Sequence, residues 1–331
     1  MENKIFTEIE NILKRIDYNK IWRGFSLYDF ALYNQETVYF KNKTIPWDKR
    51  FLGNTVIDYD GNYIAIWELE SKQNNDIEYL VADMVHEMFH VYQKQKNETR
   101  FADDLVLLTY PDDMENYQLK IIEIELLVKA FSEKNVKALR QFIDIRNARK
   151  RLIGDIISHE YRAETIEGMA EYAGLVSLRQ INQEKYKMRL NDHISKLINP
   201  NDLIYDTRRL AYYTGAILCL TLKLLNVEFY HELSVDRTLF EIINNDQNGF
   251  ITEFKNHMEN KQNKFNDFLK NHSEIIECNE YICGYDPMNM IRLENKILCY
   301  HFVIVGDKFI KGPVMLNIKH GTTNQIESYI K

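Results

Sequence analysis

Two histidines four residues apart, with a glutamate after the first, form the pattern in this chain that is most closely tied to chemistry. Residues 86–90 read His-Glu-Met-Phe-His, which is the arrangement H-E-x-x-H. On an α-helix, positions i and i+4 share one face about 6 Å apart along the axis, so both imidazoles can bind one ion. Glu87 lies beside that pair, where its carboxylate can reach a water on the ion. The pattern predicts a catalytic Zn²⁺ bound by His86 and His90, with Glu87 as general base.

The surrounding residues predict the helix that this motif requires. Apolar side chains recur at helical spacing through residues 78–94, at Val81, Met84, Val85, Met88 and Tyr92. On a helical wheel this stripe lies nearly opposite the second histidine. We therefore expect a core-facing side and a site-facing side. The alternative is that both histidines are exposed, or satisfied within the core, as happens with isolated matches to a short pattern.

A third protein ligand is expected because catalytic zinc usually has three of them and keeps one position for water. Residues 155–180 predict a second helix that carries a stripe of glutamates at i, i+4, i+7 and i+11, namely Glu160, Glu164, Glu167 and Glu171. Small residues at positions 168, 170, 173 and 174 allow another helix to approach closely near Glu167. The alternative is a solvated acidic face, which is what most runs of charge are.

Together the two motifs resemble those of the gluzincin zinc peptidases, in which H-E-x-x-H is followed downstream by E-G-x-A. The second motif here reads Glu-Gly-Met-Ala at residues 167–170. The resemblance implies that His86, His90 and Glu167 are the zinc ligands and that Glu87 is the general base. Other glutamates of the stripe stay open as the ligand in place of Glu167, namely Glu160, Glu164 and Glu171.

A third segment extends the resemblance. Residues 212–215 read Tyr-Tyr-Thr-Gly and are similar to the Y-x-x-G segment of aminopeptidase-like gluzincins. In those enzymes the tyrosine stabilises the tetrahedral intermediate, which implies that role for Tyr212, with Arg208 as an alternative donor. Glu164 or Glu171 is expected to orient a ligating imidazole. The resemblance also implies that the strand before the zinc helix, residues 63–69, is an edge that binds an extended peptide; an ordinary covered strand is the alternative.

The chain also departs from the family pattern. Residues 91–166 separate the two motifs, a longer interval than in thermolysin-like or aminopeptidase N-like enzymes. An inserted helical hairpin accounts for it, with helical spacing in 115–131 and 135–156 and a turn between them. No G-x-M-E-N exopeptidase motif precedes the zinc motif. Deformylases, which share H-E-x-x-H, need a cysteine where this chain has Met169.

The distribution of residue types predicts an α+β fold. Strand-like runs at 37–40, 55–59 and 63–67 indicate a small antiparallel sheet within residues 28–70. Residues 101–271 have mostly helical patterns, and short strands follow at 281–283, 290–293, 297–305 and 314–318. We expect an N-terminal antiparallel sheet packed on a zincin-type helical body, in a domain of residues 1–272. A short β-rich C-terminal subdomain is expected over residues 273–331.

Composition excludes several classes of protein. The 331 residues are 45% hydrophobic with a net charge of −7, and no block of lysine or arginine indicates a nucleic-acid or membrane partner. The most apolar stretch, residues 211–225, is interrupted by polar side chains, and residues 1–20 lack the apolar core of a signal peptide. We expect a cytoplasmic protein whose partner is a peptide or protein substrate.

These observations predict a zinc-dependent hydrolase, specifically a metallopeptidase. Two alternatives belong to other classes. One is a catalytically inactive binding protein that keeps the zincin fold. The other is a helical scaffold with paired, buried histidines and an acidic stripe that faces solvent.

Overall fold

The computed structural model describes residues 2–69, 76–227, 229, 237–244 and 248–331, and for residues 2, 3 and 248–258 it describes the backbone only. The chain divides into two compact units, Met1–Asn245 and Asp246–Lys331. This division lies before the predicted boundary at residue 272. The reason is a helix, Asn248–Asn271, which buries Phe265 and Phe268 against the C-terminal strands.

Helices occupy most of the first unit. In chain order they are α1 (Glu2–Leu13), α2 (Tyr18–Ile21), α3 (Ile77–Gln95), α4 (Asp104–Leu107), α5 (Met114–Ser132), α6 (Val136–Ile153), α7 (Ile157–Ile181), α8 (Gln183–Ile198), α9 (Thr207–Leu224) and α10 (Leu239–Asn244), and α11 (Asn248–Asn271) begins the second unit. The predicted zinc helix corresponds to α3 and the predicted ligand helix to α7. The predicted helical hairpin corresponds to α5 and α6.

Strands form one sheet in each unit. Those of the first unit are β1 (Phe30–Tyr33), β2 (Thr37–Tyr39), β3 (Thr44–Pro46), β4 (Thr55–Tyr59) and β5 (Asn62–Glu68). Those of the second are β6 (Ile275–Tyr285), β7 (Met290–Leu293), β8 (Lys296–Cys299), β9 (Phe302–Val305), β10 (Lys308–Lys311), β11 (Val314–Ile318) and β12 (Gln325–Ile330). The predicted α+β class is confirmed.

The N-terminal sheet has the strand order β3-β2-β1-β5-β4. Its pairs are antiparallel except β1 with β5, which run parallel, so the sheet is mixed and not antiparallel throughout as the sequence suggested. Strand β5 pairs on both sides, and the prediction that residues 63–69 form the edge is therefore wrong. Strand β4 is the edge next to β5. Residue 70, where the predicted sheet ended, lies outside the described residues.

Helix α7 runs through the core of the first unit and packs against α3 and α9. The contact with α9 is at two glycines: a Cβ built on Gly215 would lie 2.3 Å from the main-chain oxygen of Glu164 and 2.6 Å from Cα of Gly168. A Cβ on Gly174 would lie 2.8 Å from the main-chain oxygen of Ala82 in α3. The close approach predicted from the small residues is confirmed, and it brings the backbones of three helices together around the glutamate stripe.

Replacing Gly215 by alanine tests this crossing. Alanine has the better intrinsic helix propensity, by about 1 kcal/mol, but its Cβ would collide with backbone atoms that cannot move as a side chain does. We expect Gly215→Ala to lower the free energy of unfolding by about 1–3 kcal/mol in urea titrations. An unchanged or higher stability would show that the two helices separate easily.

The hairpin of α5 and α6 contacts α7 through buried ion pairs. Arg146 of α6 donates through Nε to Glu123 of α5 at 2.7 Å and through both terminal nitrogens to Glu164 of α7, one of these at 2.7 Å. All three side chains are almost completely buried. An arginine fork that faces two carboxylates in this way gives strong charge-assisted hydrogen bonds, so the hairpin is fixed in register against α7.

A second buried arginine repeats this arrangement one turn further along. Arg149 donates to Glu123 at 2.6 Å and to Glu160 at 2.7 Å, and Nζ of Lys120 lies 3.5 Å from Glu160. Within this cluster three cations therefore match three carboxylates, because Arg146, Arg149 and Lys120 face Glu123, Glu160 and Glu164. Buried charges persist in proteins when they are paired in this way.

The second unit is a seven-stranded antiparallel sheet with the order β10-β9-β6-β12-β11-β8-β7. The single strand predicted at 297–305 is two strands, because the chain turns at residues 300–301. Strands β10 and β12 were not predicted. Each is short and half polar, and neither keeps a strict alternation of apolar and polar residues, since Phe309 and Ile310 are adjacent in β10 and Tyr329 and Ile330 are adjacent in β12.

Candidate metal centre

Three side chains from two helices meet inside the first unit. Nε2 of His90 lies 3.1 Å from Nε2 of His86 and 3.2 Å from Oε2 of Glu167, and the distance from His86 Nε2 to Glu167 Oε2 is 3.5 Å. His86 and His90 come from adjacent turns of α3, and Glu167 comes from the middle of α7. These three are a group of side chains in the described part of the chain that could hold a metal ion.

The hydrogen bonds around the two imidazoles determine which nitrogen carries the proton. Nδ1 of His86 lies 3.1 Å from the carboxylate of Glu171, and Nδ1 of His90 lies 2.7 Å from Oε1 of Gln93. The Gln93 amide is itself oriented, because its Nε2 donates to the main-chain oxygen of Ile166. Both Nδ1 atoms therefore donate, and in the neutral rings both Nε2 atoms present lone pairs.

The result is three acceptor atoms that face one another. Two Nε2 lone pairs and the carboxylate oxygen of Glu167 lie within 3.1–3.5 Å of each other, with no proton between them in this tautomer. Acceptors at such distances repel unless a proton or a metal ion lies among them. This arrangement is what a metal site requires, and it arises from residues that are buried or nearly so.

The raised pKa of His86 also indicates that this group of side chains favours a positive charge. Burial alone lowers the pKa of this imidazole, but its hydrogen bonds to the carboxylates of Glu167 and Glu171 outweigh burial and raise the pKa to about 10. Conversely, burial raises the pKa of Glu167, and the two histidines outweigh it and hold the pKa well below its usual range. Without a metal the site retains a proton, so a metal and a proton compete for it.

Arg208 of α9 orients the glutamate of this group. Its Nη2 donates to Oε1 of Glu167 at 2.7 Å, and its Nη1 lies 3.1 Å from Asp104. Oε1 of Glu167 is therefore occupied, and only Oε2 faces the histidines. Arg208 was predicted as an alternative donor to an oxyanion, whereas its guanidinium lies on the carboxylate of Glu167.

His86, one of the three residues of this group, lines a cavity of about 340 Å³. His86, Glu87 and Tyr212 contribute to its lining, and the ring of Tyr212 stacks on that of His86 at 5.5 Å between centroids with an interplanar angle of 3°. Glu87 is only 8% exposed, and burial raises the pKa of its carboxyl although the two histidines oppose the shift. The structure thus brings the predicted base and the predicted tyrosine to the cavity beside the three acceptor atoms.

The four glutamates of the α7 stripe are all buried, so the interpretation of a solvated acidic face is wrong. The stripe divides in two. Glu160 and Glu164 face the arginines of the hairpin, whereas Glu167 and Glu171 face the histidines of α3. Glu164 and Glu171 were the two residues predicted to orient a ligating imidazole. Glu171 does so for His86, whereas Glu164 faces Arg146.

Three residues that support the site were not predicted from the sequence, namely Gln93, Arg189 and His193. Gln93 lies three residues after His90 on the same helix, and a polar residue in that position of an amphipathic helix was the available signal. Arg189 and His193 belong to α8 and contact Glu171 at 3.2 and 2.7 Å.

The buried face of α3 is wider than the predicted apolar stripe. It also includes Leu80, Ala82, Phe89 and Val91.

No helix in the described part of the chain combines the length and the apolar character needed to cross a bilayer.

Comparison with known proteins identifies no relative, since no family model matches the chain and no curated protein or solved structure is significantly similar to it.

Proposed function

We propose that this protein is a zinc-dependent peptidase whose metal is bound by His86, His90 and Glu167. The observation that carries the proposal is the triangle of acceptor atoms with sides of 3.1, 3.2 and 3.5 Å. In a tetrahedral site with bonds of about 2.0–2.1 Å, neighbouring ligands lie about 3.3–3.4 Å apart. The three sides scatter around that value, and the set of two imidazoles with one carboxylate suits zinc in a catalytic role.

The residues around the triangle fit hydrolysis. Zinc in such a site acts as a Lewis acid and makes water a nucleophile at neutral pH. Glu87 accepts the proton of the attacking water and returns it to the leaving nitrogen, a task for which its raised pKa is suited. The Tyr212 ring stacks on that of His86, and its hydroxyl interacts with Glu167. We assign to this hydroxyl a hydrogen bond to the oxyanion that forms on the substrate.

A peptide is the favoured substrate because of the sheet beside the site. Trp67 at the end of β5 lines the cavity, and the neighbouring strand β4 is an edge of the sheet in the described part of the chain. The free main-chain groups of an edge strand pair with an extended chain of any sequence. Thr55–Tyr59 replaces the predicted residues 63–69 in this role.

Metal analysis of the purified protein tests the proposal first. We expect about one equivalent of zinc in the wild type, and we expect His90→Ala to lower the affinity by about 100-fold or more, since structural zinc sites release about 10–16 kcal/mol from a few ligands. The measurement is elemental analysis combined with competition against a chelator. A library of unstructured peptides, read by mass spectrometry, then tests for cleavage.

The matched control is His159→Ala, which removes a histidine of α7 that lies outside the triangle and accepts from the main-chain N–H of Asp103. It should keep its zinc. Equal zinc content in His90→Ala and wild type would refute the metal site. Full zinc without any cleavage of the library would favour the inactive zincin-fold binding protein instead.

A further inference from the structure

Helix α8 contributes a second group of residues to the cavity that the proposed reaction does not use. The lining residues from this helix are Arg189, Asp192, His193 and Lys196, and Tyr213 of α9 lies beside them. None of them is within the metal triangle, and none is required to transfer a proton. These residues are therefore available to contact a molecule that binds in the cavity.

The charged members of this group are paired with one another or with neighbours. Arg189 lies 2.6 Å from Asp83 and 3.2 Å from Glu171, and Lys196 lies 2.6 Å from Asp192. Both cations are thus neutralised by carboxylates of the same wall. Neither cation is therefore free to bind a negatively charged group of a substrate.

His193 is the member whose hydrogen bonding is incomplete. Its side chain is almost completely buried, and Nε2 lies 2.7 Å from Oε1 of Glu171. Its Nδ1 is buried and has no hydrogen-bond partner, since the nearest ionised oxygen, on Asp192, is 3.8 Å away. A buried polar atom without a partner is uncommon in folded proteins and costs free energy.

The network determines what this nitrogen offers. The carboxylate of Glu171 accepts from Nδ1 of His86 on one oxygen and from Nε2 of His193 on the other. An ionised carboxylate only accepts, so Nε2 of His193 carries a proton, and a ring with a single proton then has none on Nδ1. Nδ1 then carries a lone pair without a donor, on a residue that lines the cavity, and its complement is an N–H or O–H group.

We propose that His193 Nδ1 accepts a hydrogen bond from a main-chain N–H of the peptide bound in the cavity, which makes His193 a substrate-positioning residue. This inference rests on the proposed peptidase function. A main-chain N–H needs no free cation in the wall to bind it, and it recurs along any peptide except at proline. One such bond aligns the chain relative to the metal without selecting a side chain.

The test begins with two replacements of the same ring, assayed at saturating zinc on the peptide that the wild type cleaves fastest. His193→Phe keeps a ring without hydrogen-bonding atoms, and we expect KM to rise about 10-fold with kcat nearly unchanged. His193→Gln can donate to Glu171 and still present an oxygen, so it should restore most of the lost affinity. Binding of the same peptide to Glu87→Gln proteins, with and without His193→Phe, gives Kd independently of turnover.

Methylation of the substrate backbone identifies the partner atom. The peptide is synthesised with N-methyl at one position at a time, and kcat/KM is measured for the wild type and for His193→Phe. We expect one position where methylation costs the wild type about 10-fold and costs the variant nothing further, which is the coupling expected of a direct contact. If the phenylalanine variant does not fold, His193→Asn, whose shorter side chain withdraws the acceptor, takes its place.

The outcomes separate the two proposals. Equal KM and Kd in wild type and His193→Phe, or equal responses to methylation at every position, overturn the role of His193 and leave the peptidase proposal intact. If the wild type cleaves no peptide, the peptidase proposal fails and this inference fails with it. His301→Phe, an exposed histidine of the second unit, is the control for the replacement itself and should match the wild type.

Discussion

Glu87→Gln is expected to keep one equivalent of zinc while losing about 10²–10⁴-fold in the rate of peptide hydrolysis. The carboxylate lines the cavity beside His86 and does not belong to the triangle of metal-binding atoms, so its loss leaves the ligands in place. The amide has almost the same shape but cannot accept a proton. Stopped assays on the best library peptide, with zinc content measured on the same sample, check both halves of this prediction.

The control for Glu87→Gln is the same replacement at Glu184, an exposed residue at the start of α8, which should have no effect on rate. Full activity in Glu87→Gln would end the assignment of this residue as general base. Loss of zinc from that variant would instead show that Glu87 supports the ligands, and the base would have to be sought elsewhere in the cavity.

Glu164→Ala is expected to lower the free energy of unfolding by about 3–5 kcal/mol without removing the zinc. Glu164 faces the guanidinium of Arg146, and both side chains are almost completely buried. Truncating the glutamate leaves an arginine in the core with only the carboxylate of Glu123 to balance it. Urea unfolding followed by circular dichroism measures the loss, and elemental analysis measures the metal.

Two further variants make the comparison specific. Glu125→Ala removes an exposed glutamate from α5 and should change stability by less than about 0.5 kcal/mol. Glu167→Ala, one turn further along α7 than Glu164, should lose zinc instead, because its Oε2 faces the histidines. If Glu164→Ala were as stable as the wild type, the buried ion pairs would contribute little to the fold.

Local patterns were enough to predict the helices of the site and the residues that meet there. The spacing of His86 and His90 depends only on the helical repeat, and the small residues around Glu167 indicated a close helix crossing. The spacing of the histidines is set within one helix, and the close crossing is set by contact between two helix backbones. This is why the sequence predicted α3, α7 and the convergence of their side chains.

Features set by distant pairing could not be predicted in the same way. Strand β5 is internal only because β1, more than thirty residues earlier, pairs with it in parallel as Phe30 meets Ala65. The division of the glutamate stripe depends on where the hairpin docks, which no spacing within α7 reveals. The contact of His193 with Glu171 likewise joins two helices whose relative rotation is decided by packing.

The buried charges of the hairpin have a consequence for the order in which the metal centre can assemble. Helix α7 carries Glu160 and Glu164 into the core on the same element that carries Glu167, and their burial is stable only when Arg146 and Arg149 of α6 pair with them. We therefore expect the proposed metal site to form only after the hairpin of α5 and α6 has docked. Excision of residues 114–153 is expected to leave a chain in which His86, His90 and Glu167 are all present and the pocket does not form.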